Sequence, residues 1–305
     1  LLSDVSTDFT FKENTMSDAI IAVYAEGALY PSTSNPQPVP TTIAQLQASG
    51  FNTLILGLFH IGRDYSISPP QINGDLYYNN TLVISKGTYV GDAAWPNLID
   101  SIIGSGSGVT KICASIGGGG VMDYETIQKI YAANGHSFSG TNLMLSFQTF
   151  RKTFPAIDII DLDCEETYDQ PSFVAFCQML IGLGFKITFC PYTYQDFWNG
   201  ALKALNTSNP SAVVWWNLQC YDGGYGNVPD TWAAGIRSAV SGFNTNGFIV
   251  AGDWTNDTPS GVQALMSSFS GQASVGGGFL WTLDNMIGGA GSMSAFAQAV
   301  RNGLG

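Results

Sequence analysis

Short apolar runs rich in β-branched residues alternate with stretches of helical hydrophobic period from residue 19 to the C-terminus. The runs predict strands at 19–24, 53–59, 111–115, 157–163, 186–191, 213–221, 248–253 and 277–282. Helical spacing follows each of them, near 42–48, 95–103, 123–133 with 142–154, 171–183, 196–205, 230–240, 262–269 and 293–302. Eight strand–helix units in 305 residues, without a composition shift to mark a linker, predict an α/β chain folded as a single-domain (β/α)8 TIM barrel. Its site would lie at the carboxyl ends of the strands. An open doubly wound sheet is the alternative, but Gly117 to Gly120 lacks the spacing and acidic partner of a dinucleotide cradle. The connection 62–94 carries two β-like runs, 76–78 and 81–84, which predict a hairpin on the catalytic face. Residues 1–17 read as an N-terminal extension, foreign or removed by processing, and 18–305 as the barrel domain.

The fourth strand departs from a plain core pattern. Within its apolar run, and just past it, Asp161, Asp163 and Glu165 occupy every second position. Side chains alternate across a strand, so these three share one face while Ile160, Leu162 and Cys164 share the other. Like charges this close on a partly buried face cannot all ionise at free-acid values; at least one is expected to hold a proton near neutrality and serve as a general acid. The flanking Ile, Leu and Phe residues speak against a merely solvated acidic face. A hard-cation site is the stronger competitor, although nothing nearby has the glycine-punctuated spacing of a calcium loop.

Asp158, Asp161, Asp163 and Glu165 also resemble the Asp-Gly-x-Asp-x-Asp-x-Glu signature of glycoside hydrolase family 18, the chitinases and their relatives. Ile159 replaces its usual Gly, and Cys164 stands where an aromatic or aliphatic residue is common. Ser115-Ile116-Gly117-Gly118 is similar to the family's Ser-x-Gly-Gly at the end of the third strand, and Ser115, on the inward parity, can reach an inner aspartate. Gln219, Tyr221 and Asp222 resemble its sixth strand. Gly278 to Asp284 resembles its closing strand, with Trp281 as the floor beneath the reacting sugar, and Tyr24 matches an aromatic ending the first strand.

The resemblance implies a retaining, substrate-assisted, endo-acting chitinase cutting β-1,4-linked N-acetylglucosamine. Glu165 would protonate the glycosidic oxygen. Asp163 would orient the 2-acetamido group, Asp161 would share a proton with Asp163, and Tyr221 would hydrogen-bond the acetamido oxygen. Tyr24, Ser115, Gly117, Gly118, Gln219, Asp222 and Trp281 would bind the sugar. Neither cofactor nor metal is implied. Family members with an extra lobe between the last two barrel strands have a deeper cleft; the connection 254–276 is too short for one, so a shallow groove is expected. An endo-β-N-acetylglucosaminidase acting on N-glycans and a non-catalytic chitinase-like lectin remain open, though such lectins usually lack the acid that Glu165 supplies.

Composition narrows the partners. A net charge of −12 offers no basic footprint for nucleic acid or anionic membrane, and no apolar stretch reaches the length of a membrane span. Aromatic residues are 12% and charged residues 11%, a balance that suits stacking on neutral sugar rings. Cys113, Cys164, Cys177, Cys190 and Cys220 fall in strands and a helix and read as buried thiols, which points to a reducing compartment; the implied substrate points outside the cell, with no signal peptide visible. His60 and His136 are too far apart in sequence to make a zinc site or a triad. Tyr194, Trp198 and Trp254 follow strands and either extend the groove or pack in the core.

Overall fold

The chain opens with β1 (Ile20–Ala25) and β2 (Thr53–Ile61), makes an antiparallel excursion through β3 (Leu76–Tyr78), β4 (Thr81–Ser85) and β5 (Thr88–Tyr89), and returns as β6 (Lys111–Gly117). There follow β7 (Ile157–Asp163), β8 (Lys186–Phe189), β9 (Val213–Gln219), β10 (Ile249–Trp254) and β11 (Val275–Trp281). This computed structural model describes residues 19–62 and 72–305. The expected extension, 1–17, and part of the 62–94 connection lie outside the described residues. Apart from β3, β4 and β5 the strands are parallel neighbours, and β1 pairs with both β2 and β11, which closes the barrel. All eight predicted barrel strands are present, within a few residues of their expected bounds.

Helices α1 (Val39–Gln47), α2 (Trp95–Asp100), α3 (Asp123–Ala133), α4 (Asn142–Thr153), α5 (Gln170–Gly182) and α6 (Gln195–Ser208) wrap the first part of the barrel. The rest is covered by α7 (Pro229–Ala239), α8 (Pro259–Phe269), the short α9 (Leu283–Asn285) and α10 (Met293–Leu304). Side-chain oxygens of Thr141, Asp169, Thr258 and Ser292 accept backbone N–H groups at the starts of α4, α5, α8 and α10, which fixes where those helices begin. Four helix bounds differ from expectation by three residues: α6 runs on to Ser208, α8 begins at Pro259, and the other two have a local cause. α1 starts three residues early because Pro40 fits its first turn, where a missing N–H costs nothing. α2 stops at Asp100, three residues short, ahead of the glycine-rich 104–108 segment that cannot sustain a helix. The predicted hairpin is present and pairs with the C-terminal end of β2 through Phe59, His60 and Ile61; β5 adds a third strand, whose two residues carry no readable period.

Two apolar layers hold this architecture. Outward residues such as Ile160, Leu162 and Cys164 pack against the helices in the larger cluster. Each fully buried aliphatic or aromatic side chain there contributes about 1.5–3 kcal/mol, so the outer layer carries most of the stability and leaves the lumen free for polar groups. Inward residues Ala22, Ile55, Cys113, Ile159, Trp215 and Val250 plug the lumen in the second cluster, with Tyr24 and Phe279. Gly252 leaves room for the Phe279 ring, which any Cβ there would strike. Above this plug the inward positions turn polar, and the connection between β10 and β11 is filled by α8 alone, without an added lobe.

Candidate functional site

Alternation along β7 aims Ile159, Asp161 and Asp163 inward, one above another, with Glu165 just past the strand. Asp161 is wholly buried. Its Oδ2 accepts hydrogen bonds from Tyr24 Oη at 2.8 Å and Ser115 Oγ at 2.7 Å; its Oδ1 accepts from Thr188 Oγ1 at 2.7 Å and Asn217 Nδ2 at 2.9 Å. Trp215 Nε1 donates to Asn217 Oδ1 at 2.9 Å and so fixes which end of that amide faces the aspartate. Burial raises the Asp161 pKa and the four donors oppose it. Burial outweighs that opposition and leaves the Asp161 carboxyl above its ordinary range, enclosed by these four partners beneath the cleft.

Asp163 turns toward Glu165, with which it is in hydrogen-bonding contact. Gln219 Nε2 bridges the two, 3.2 Å from Asp163 Oδ1 and 3.3 Å from Glu165 Oε1. Burial, then the charges of Glu165 and Asp161, hold the Asp163 carboxyl well above its ordinary range. Burial also raises Glu165; the hydrogen bonds from Gln219 and Asp163 oppose this, and the charges of Glu166 and Asp222 reinforce it. Two carboxyls joined in this way titrate as a pair, and burial holds both above their ordinary range.

The β6 end shapes the other side. Gly117 and Gly118 have φ of +113° and +105°, where a side chain is strained, and a Cβ on Gly117 would strike the Asp163 carbonyl. Gly118 N donates to that carbonyl at 2.8 Å. Glu166 then ties the following turn down: its carboxylate accepts Gly120 N–H, Val121 N–H at 3.2 Å and Met122 N–H at 3.4 Å. This anchor brings Gly119 to the edge of Glu165.

A cleft of about 270 Å³ opens over these groups, with Asp163, Glu165 and Gln219 in its floor. Tyr192, Tyr221, Trp254 and Trp281 wall it, and Tyr221 stacks on Trp254 with centroids 5.7 Å apart. Gly118 and Asp222 also border it. Tyr24, Ser115 and Gly117, expected among the sugar-binding residues, lie beneath this cleft, where Tyr24 and Ser115 hold Asp161. Trp198 is buried in the core, Trp254 lines the cleft, and Tyr194 is exposed. Asn217 shares the inward parity of Gln219 and Tyr221, and the same parity along β8 and past it is the sequence signal for Thr188 and Tyr192; Glu166 has none. All five cysteines are buried free thiols.

Among the described residues no three His, Cys, Asp or Glu side chains are placed to hold a metal ion, and no helix is long and apolar enough to cross a membrane. His60 Nδ1 pairs with Asp123 Oδ2 at 2.7 Å, and Asp123 also accepts Ile61 N–H at 2.9 Å, a contact that ties α3 to β2.

Comparison with protein-family models finds no match, and neither does comparison with curated proteins. Solved structures do match. The catalytic domain of a family GH18 chitinase from the fern Peteris ryukyuensis is 16% identical with a TM-score of 0.56, over 93% of this chain and 98% of that one. Active domain 2 of a thermostable chitinase from Pyrococcus furiosus, solved as catalytic-site mutants complexed with chito-oligosaccharides, is 11% identical with a TM-score of 0.59, over 93% of both chains. A barrel closed by eight parallel strands, followed along nearly its whole length by these neighbours, gives this chain the fold of glycoside hydrolase family 18 chitinase catalytic domains.

Proposed function

We propose that this chain is a chitinase that hydrolyses β-1,4-N-acetylglucosamine linkages with retention, using the substrate's own acetamido group as nucleophile. The observation that carries the reading is the Asp163–Glu165 pair, bridged by Gln219 and seated above the buried Asp161 within an aromatic cleft. Glu165 stands nearest solvent of the three and is the proton donor to the glycosidic oxygen. Asp163 accepts the acetamido N–H, and with the sugar bound Glu165 carries the proton that goes to the leaving oxygen while Asp163 is the anion beside the acetamido group. The acetamido oxygen then attacks the anomeric carbon while the bond to the leaving oxygen breaks and that oxygen takes the Glu165 proton. Anionic Asp163 stabilises the positive charge of the cyclic intermediate. Water, deprotonated by the Glu165 carboxylate, opens it. Tyr221 orients the acetamido oxygen, and Trp281 and Trp254 cover the apolar sugar face and exclude water. A lectin role is disfavoured by the intact acid in a setting that raises its pKa.

The direct test is incubation with N-acetylglucosamine oligosaccharides and NMR of the earliest products. Shortened oligosaccharides that appear first as the β-anomer are the expected result; α-anomeric first products would reject the mechanism. Activity should also survive exhaustive chelation, since no step calls on a metal; loss restored by magnesium or calcium would move the reading to metal-assisted hydrolysis.

The pH profile provides a further check. A general acid works while protonated, so activity is present below the Glu165 pKa and lost as pH rises through it. Glu166 raises that pKa by its charge. Glu166→Gln keeps a carbonyl oxygen for the Gly120–Met122 turn and removes the charge, so the alkaline limb of kcat against pH should move to lower pH. An unmoved limb in the folded variant would exclude this influence.

A further inference from the structure

We propose that the Cys190 thiol is a positioning residue of the reaction: from beneath the cleft it donates a hydrogen bond to the Asp163 carboxylate, holds Asp163 as the anion that accepts the acetamido N–H, and leaves the proton of the pair on Glu165. This rests on the hydrolase reading above. The side chains that meet the acidic series come in layers, because inward positions recur at every second residue along each strand. On β8 and past it, Thr188 meets Asp161 and Tyr192 lines the cleft, with Cys190 between them. On β9, Asn217 meets Asp161, and Gln219 meets Asp163 and Glu165. Cys190 therefore stands in the layer of Asp163, and its backbone N–H, donating to the Leu162 carbonyl at 3.0 Å, fixes it there. The position is buried in the inner apolar cluster, where packing asks only for a small apolar side chain; what a thiol adds is a donor.

Around the sulfur lie Tyr24, Gln219 and Asp163. Tyr24 Oη is 3.2 Å from Sγ, but its single proton goes to Asp161 Oδ2 at 2.8 Å, since a carboxyl oxygen is a better acceptor than sulfur. Gln219 Nε2, 3.6 Å from Sγ, is a donor and cannot take the thiol proton. Asp163 can: it is in hydrogen-bonding contact with the thiol, and this contact lowers its pKa against the effect of burial. Burial, then the charges of Asp163 and Asp161, hold the Cys190 thiol well above its ordinary range, so it stays protonated and remains a donor. Gln219 donates to both carboxyls of the pair and does not choose between them, whereas Cys190 donates to Asp163 and not to Glu165. This donor therefore tilts the proton toward Glu165. Besides Asp161 and Glu165, the titratable groups that feel the Asp163 charge are Tyr24, Tyr124, Tyr192, Tyr221 and Cys164; all are held above their ordinary range and stay neutral near neutral pH.

The test compares the unaltered protein with Cys190→Ala, which removes the donor, and Cys190→Ser, which keeps one, on the N-acetylglucosamine hexamer across a range of pH. The working form needs Asp163 anionic, so activity is present above the lower pKa of the pair and lost as pH falls through it. Loss of the donor should lower kcat/KM about three- to tenfold and move its acidic limb to higher pH, and Cys190→Ser should restore both. An unmoved limb in Cys190→Ala, which is what a packing role alone would give, or a limb that Cys190→Ser leaves displaced, would overturn the proposal. Should Cys190→Ala not fold, Cys190→Val fills the site without a donor and takes its place. If the unaltered protein does not cleave the hexamer, the hydrolase reading fails. NMR titration of the isotope-labelled Asp163 carboxyl, assigned with Asp163→Asn, then decides the contact alone: a midpoint raised in Cys190→Ala and brought back in Cys190→Ser supports it, and an equal midpoint removes it.

Discussion

Glu165→Gln should lower kcat on N-acetylglucosamine oligosaccharides by roughly two to four orders of magnitude while binding survives. The exchange keeps the shape of the side chain and an oxygen for Gln219 to donate to, but removes the transferable proton at the outer end of the acidic series. Because the lost interaction is made in the transition state, kcat and kcat/KM should fall together. The variant also removes the charge that helps raise Asp163, so Asp163 should ionise at lower pH than in the unaltered protein. Steady-state kinetics with calorimetry on the same preparation separates the outcomes. Near-normal turnover by a folded Glu165→Gln protein would remove Glu165 from the acid role, and equal loss of binding and turnover would make it a binding residue instead.

An oligosaccharide matched in length but lacking the 2-acetamido group at the reacting sugar should be almost inert. In the proposed mechanism Asp163 and Tyr221 hold the acetamido group, and the innermost carboxyl of the β7 series, Asp161, is enclosed by Tyr24, Ser115, Thr188 and Asn217, where it cannot attack an anomeric carbon. With its internal nucleophile removed, the substrate loses the proximity advantage, on the order of 7–11 kcal/mol at best. Asp163→Asn should likewise depress turnover, by about 100-fold or more, because an amide cannot stabilise the cation as it forms. Cello-oligosaccharides cleaved as fast as N-acetylglucosamine oligosaccharides would contradict the mechanism and leave the fold untouched.

Much of this molecule can be read along the chain. The order and bounds of the eight barrel strands follow from the period of apolar positions, since each strand must face both the lumen and the helices. The inward direction of Asp161, Asp163 and Glu165 follows from parity alone, as does the reach of Ser115 to an aspartate. What parity cannot supply is the identity of neighbours across strands. Thr188 and Asn217 sit 27 and 56 residues from Asp161, and only barrel closure, with the register of β7 against β8 and β9 behind it, brings them to the same carboxylate. The same closure brings Gln219 of β9 between Asp163 and Glu165, 56 and 54 residues away along the chain. The resemblance implies that Tyr24 binds the sugar; its contact with Asp161, 137 residues away, is visible only in the closed barrel. Local pattern thus determined the elements and the faces they present, because both depend on residues a few positions apart. Charge state, donor sets and the aromatic walls were decided only by the closed barrel, because they depend on side chains far apart in sequence that meet when the ring of strands is complete.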